Sequence, residues 1–133
     1  MSRAPLPPLA LVLLAFITPA LAQQDVFANR PAFSQGDLPA QSYASCESVR
    51  AMAEGVGEPE FRIDLSLGGR LTLVRSDGAL WYLVMCSDLR VMCVTYEQNE
   101  MKAGDQVYFR GAYRRLDPNH AVLDPCLANS EPQ

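Results

Sequence analysis

The sequence has little with which to run a reaction. It holds one histidine, His120, and neither a Cys-x-x-Cys pair nor the Cys-x-x-Cys-His form. His120 lies in a Pro-Asn-His turn, and nothing in the spacing gathers serine, histidine and aspartate into one site. Gly68-Gly69 is followed by no Lys-Ser/Thr and no helix start, which excludes a phosphate loop. No internal repeat is evident. A basic excess is also missing: 11 Lys and Arg stand against 15 Asp and Glu, a net charge of −4. That balance argues against binding nucleic acid, which relies on clustered cations. What is present is ordinary. With 49% hydrophobic and 20% charged residues the chain matches a folded domain, not a disordered tail, a collagen-like chain or a polybasic arm. Its 133 residues allow one compact domain.

Residues 1–22 read as an export signal. Arg3 is the early cation, Leu9–Ile17 the apolar run, and Ala20-Leu21-Ala22 the small-x-small end, with cleavage expected after Ala22. The run is about half of what a membrane-spanning helix needs. No cysteine sits at the cut, the first being Cys46, so no lipid-anchored end is expected. No other segment is long and apolar enough to span a bilayer, and the expected location is periplasmic or secreted.

All four cysteines, Cys46, Cys86, Cys93 and Cys126, lie beyond that signal. In an oxidising compartment an even count reads as two disulfides, with three possible pairings. Cys86 and Cys93 flank the turn Ser87-Asp88-Leu89-Arg90. A turn centred between Leu89 and Arg90 sets them directly opposite each other, about 4.5 Å apart at Cα, near the short end of what a disulfide tolerates. The preferred pairing is therefore Cys86–Cys93 with Cys46–Cys126. A turn centred one residue earlier would set Cys86 against Val91 instead. The rival is a sulfur site for Cu(I) or redox chemistry built on Met85-Cys86 and Met92-Cys93. With Cys86 opposite Cys93, however, both methionines fall on the other face. No metal and no cofactor is expected.

Residues 23–41 carry Pro31, Gly36 and Pro39 without periodicity and read as a flexible segment or surface strap. Residues 42–58 read as a short helix, Ser42–Glu54, with Ser42 or Ser45 as N-cap, and a glycine connector. Residues 59–128 form the β-rich unit, and 129–133 a tail. Phe61–Leu67 alternates strictly, Gly68-Gly69 marks a bulge or bend, and Arg70–Val74 resumes. Ser76-Asp77-Gly78 is a hairpin turn. Further strands are Ala79–Cys86, Val91–Tyr96, Gln106–Tyr113 and a short Ala121–Leu123, with Asp124-Pro125-Cys126 ending the last. Asp105, Asp117 and Asp124 fit as turn and strand-start residues. The fold class is mainly all-β, five strands closing into a small barrel with one short N-terminal helix.

Two stretches carry a resemblance. Lys102–Gly111 resembles the Gly-Asp-x-Val-x-x-x-Gly fourth-strand signature of the oligonucleotide/oligosaccharide-binding (OB) fold, a Greek-key barrel. Ser66–Val74, followed by Asp77-Gly78, resembles its bent first strand. The resemblance spans Phe61 to Cys126. It departs from the pattern between the third and fourth strands, where the usual helix is reduced to Glu97–Lys102. The resemblance implies a binding face on the second and third strands, involving Trp81 or Tyr82, Arg90 and Tyr96. It implies rims at Arg75–Gly78 and Arg114–His120. Because Trp81 and Tyr82 are adjacent they must face opposite ways, and Trp81 is taken as outward, leaving Leu80, Tyr82, Val84 and Cys86 inward.

The functional expectation is an exported, non-catalytic OB-like module. Its candidate ligand-binding residues are Trp81, Arg90, Tyr96, Arg114, Arg115 and His120. Its expected partner is an envelope protein, or a sugar or anionic ligand that aromatic faces and arginines would hold. The alternatives are the sulfur-based copper or redox protein and an envelope enzyme with a site the sequence does not display.

Overall fold

The computed structural model describes residues 2–6, 8, 27, 29–35, 40–58, 60–97 and 100–133. The apolar run and cut of the expected export signal lie outside the described residues. The elements in chain order are β1 (Phe33–Gln35), α1 (Val49–Ala53), β2 (Ile63–Ser76), β3 (Trp81–Met85), β4 (Arg90–Thr95), β5 (Gln106–Asp117) and β6 (His120–Asn129).

β2 to β6 form a closed five-stranded barrel, as the sequence predicts. The sheet runs β1-β2-β3-β4-β6-β5 and closes through β2–β5, with β4 and β6 parallel and the other pairs antiparallel. β2 is long enough to serve both ends of the closure. Its first half pairs with β5 and its second with β3. Ile63, Leu65, Leu67 and Leu71 turn inward, against Leu83, Met85, Val91, Val107, Phe109 and Leu123. Alternating inward apolar residues along every strand is what a barrel of this size requires to fill its interior.

The two-glycine interruption has a spatial cause. A Cβ at Gly68 would meet the Tyr108 ring at 2.9 Å, and one at Gly69 would meet Cys46 Sγ at 2.9 Å. The irregularity in β2–β3 pairing falls further on, between Leu71 and Leu73. The Gly-Asp of the fourth-strand signature closes the barrel. Gly104, at φ +95°, donates to Leu71 O, and Asp105 O accepts from Leu71 N, while Asp105 Oδ2 accepts from Lys102 N.

Four sequence expectations are corrected. First, the segment read as a flexible strap contributes a strand: Phe33–Gln35 pairs with Leu65–Ile63 of β2. Second, the helix is only Val49–Ala53. Ala44 does not enter it because its backbone is committed to β2, donating to Ser66 O and accepting from Gly68 N. Third, the last strand does not stop at Leu123. Gly111 pairs with Cys126 and Tyr113 with Leu123, so β6 bulges at Asp124-Pro125 and continues to Asn129. A bulge tolerates a proline that has no N–H for the ladder.

The fourth correction concerns the sulfurs. Both disulfides exist, but as Cys46–Cys86 and Cys93–Cys126. In β3–β4 the register sets Leu83 opposite Cys93 and Met85 opposite Val91, so the turn centres on Asp88. Cys86 has already left the strand, at φ +72°. Cys93 therefore points into the barrel, where the β6 bulge brings Cys126 to meet it, and Cys86 reaches Cys46 instead. The same register reverses the expected faces of β3. Leu83 and Met85 are fully buried, Trp81 shares their parity, and Tyr82 and Val84 lie on the outer face.

Candidate functional site

The outer surface of β3 and β4 is organised by this register in rows. One row runs Leu73, Val84, Met92, Val122 and Arg114 across five neighbouring strands. Beside it runs Arg75, Tyr82 and Val94, and on the other side Arg90 and His120. Leu73 is 41% exposed, Val84 and Met92 are half-buried, and Arg75, Arg90 and Arg114 are exposed. An apolar band is thus edged by three guanidinium groups. At its β5–β6 end the band opens into a groove of about 570 Å³ lined by Phe61, Ala112, Arg114, Val122, Asp124 and Pro125.

The hairpin rim beside the band is fixed by Asp77. Its Oδ1 accepts from the N–H groups of Ala79 and Leu80, and its Oδ2 accepts from the Tyr82 hydroxyl at 2.6 Å. The hydroxyl bond and these backbone donors hold the Asp77 carboxyl down at about 2, and the same carboxylate pushes the Tyr82 hydroxyl up. The carboxylate is therefore stronger as an acid in the fold than in the unfolded chain. Its contribution is present above the usual carboxylate range, near pH 4, and is lost as pH falls toward about 2. Asp77→Asn is expected to flatten the stability profile between those limits in acid unfolding followed by circular dichroism. An unchanged profile would sink this assignment.

The opposite end of the face holds a second network. His120 Nδ1 lies 2.8 Å from both Asp117 oxygens, and His120 Nε2 lies 3.4 Å from Arg90 Nη1. Nδ1 is placed to donate to the carboxylate, and Nε2 faces the guanidinium. The backbone N–H of Asn119 and the His120 ring hold Asp117 below the usual carboxylate range. Among the described residues the ring is engaged by a carboxylate and a guanidinium. Arg115 donates to Asp117 O and Pro118 O. Arg50, from α1, donates to the same Pro118 O, to Asn119 Oδ1 and to both Asp88 Oδ2 and Asp88 O. It joins the β3–β4 turn to the β5–β6 turn, and in doing so lowers the Asp88 carboxyl.

Of the residues singled out from sequence, Arg90 and His120 touch, and Arg115 braces the turn that carries His120. Arg114 is displaced toward the groove. Tyr96 is 80% exposed just past the far end of β4. Trp81 sits at that same far end, opposite Thr95, on the inward parity. Leu73, Val84, Met92 and Phe61, with the buried Val122 lining the groove beneath them, form the outer face that sequence reasoning missed, because nothing short of the register separates them from core residues. The four sulfurs of the copper reading do not assemble. Among the described residues no cysteine is free, Met85 is fully buried, and Met92 lies on the outer face. No protein-family model matches the chain, and no curated protein matches it either.

Proposed function

We propose that this chain is an exported, non-catalytic binding module that takes an envelope protein across the outer face of β3 and β4. The observation that carries the reading is the apolar band Leu73–Val84–Met92, edged by Arg75, Arg90 and Arg114 on a chain of net charge −4. A protein of that charge that sets cations around one exposed and two half-buried apolar side chains is suited to a partner with an apolar segment flanked by carboxylates. The barrel supplies rigidity, since every row of the face is set by a paired strand. Two disulfides suit an oxidising compartment. Among the described residues no helix is long and apolar enough to cross a membrane.

The test compares tagged wild-type protein with R75E/R90E/R114E and, separately, with Met92→Asp in cross-linking and capture from its own envelope extract. A partner retained by wild type, weakened by raised salt, and lost in both variants at unchanged melting temperature is the expected result. Capture of the same proteins by all three forms would overturn the reading, as would turnover of an envelope substrate by the purified protein.

A further inference from the structure

The two disulfides differ in setting. Cys93 is fully buried and Cys126 is 6% exposed, both inside the barrel wall. The difference lies in Cys46, which is half-buried; its partner Cys86 is 5% exposed, and the two line a groove of about 470 Å³ that also includes Ser45, Gly69, Arg70 and Ser87. At Gly69 the floor beside Cys46 Sγ is bare backbone: a Cβ there would come within 2.9 Å of the sulfur. Thiol–disulfide exchange requires a thiolate to reach one sulfur of the pair. Cys46, half-buried on the groove, is the cysteine of the four that a thiolate can approach, and Arg70 in the same groove favours the anionic attacker, partly offset by Glu47. The bond also sits where it matters mechanically. It fixes the start of the segment leading into α1, whose five residues cannot hold a helix unaided. α1 covers one end of the barrel with Val49 and Ala53, and Arg50 ties it to the turns there.

We propose that Cys46–Cys86 is a thiol–disulfide exchange site for a dithiol reductant, and that its opening releases α1 while Cys93–Cys126 holds the barrel. The reductant's thiolate attacks Cys46 Sγ, the Cys46–Cys86 bond breaks, and Cys86 leaves as a thiolate that takes up a proton. The reductant's second thiol, deprotonated, then attacks its own sulfur in the mixed disulfide. Cys46 is released and protonated, and the reductant departs as a disulfide, having given two electrons. With the bond open, segment 46–56 is held by Arg50, by the Arg30 bonds to Met52 O and Glu54 O, by the buried Val49 and Ala53, and by the partly buried Met52 and Val56.

Dithiothreitol added to the native protein, with iodoacetamide trapping and peptide mass mapping, tests this. Cys46 and Cys86 are expected to become alkylated roughly ten times faster than Cys93 and Cys126. Amide exchange over 46–56 is expected to rise while β4 and β6 stay protected. C46S/C86S should reproduce that exchange pattern without reductant. Equal alkylation of the two pairs, or earlier loss of Cys93–Cys126, would overturn the exchange site. Unchanged exchange over 46–56 in both the reduced protein and C46S/C86S would overturn the release of α1.

Discussion

Gly111→Ala is expected to cost the fold about 3 kcal/mol, read as a lower urea midpoint at an unchanged slope. The reason is local and hard to relieve. A Cβ at Gly111 would come 2.5 Å from Pro125 O and 2.9 Å from Cys126 Cα. Both are backbone atoms, so no rotamer change makes room; either β5 or β6 must move. Movement there pulls on the β6 bulge and on Cys126, which is joined to Cys93 in the barrel interior. An alanine elsewhere has the opposite tendency, because it narrows the unfolded ensemble. Gly57 supplies the control, since a Cβ there meets nothing within 4 Å. Gly57→Ala is expected to leave the midpoint unchanged or slightly raised. Equal midpoints for Gly111→Ala and wild type would show that β5 and β6 do not approach as closely as described.

Gly111 also shows what a sequence can reveal about this fold. The Gly-Asp-x-Val-x-x-x-Gly stretch is legible because each of its fixed residues answers a local demand. Gly104 takes a positive φ, Asp105 bonds its own turn, Val107 fills the core and Gly111 lets two strands touch. β2 is legible for the same kind of reason, since strict alternation leaves one solution for which face is buried. β3 is not. Leu80 to Met85 is an unbroken apolar run, and a period of two cannot be read from residues that are all apolar. Its faces are decided by the turn length and by the row Val74–Leu83–Cys93, and the three-residue slip from Cys86 to Leu83 opposite Cys93, being odd, reverses every side chain. That single reversal also produces the wrong disulfide pairing. Phe33–Gln35 leaves no periodic trace because three residues are too few, and β6 is cut short because a proline normally ends a strand while here it lies in a bulge.

The candidate face follows the same division. Its charged edge, Arg90, Arg114 and His120, was legible through the resemblance to a known barrel, which places loops and strands without needing contacts. Its apolar centre was not. Leu73, Met92 and Val122 are indistinguishable in sequence from Leu71, Val91 and Leu123, which point the other way. The difference between the outer face and the core is one step along β4 and β6, and in β2 it is the pairing irregularity between Leu71 and Leu73.

The two cysteine pairs allow a sharper test of that geometry. The loops they close are nearly equal, with separations of 40 and 33 residues. On loop closure alone, removing either link costs about 4 kcal/mol. Their surroundings are not equal. Serines replacing Cys93 and Cys126 place two hydroxyls inside the barrel, where an unsatisfied polar group costs about 1–3 kcal/mol. C93S/C126S is therefore expected to lose about 6–10 kcal/mol in total. That is comparable to the whole stability of a small domain, about 5–15 kcal/mol, and the variant should be largely unfolded in urea concentrations that leave wild type intact. C46S/C86S exposes one of its two sites to the groove and frees a segment outside the barrel. It should retain a cooperative transition and lose less than the inner pair. If instead both variants shift the midpoint equally, the loops alone govern stability, and Cys93–Cys126 does not hold the barrel in the way its burial implies.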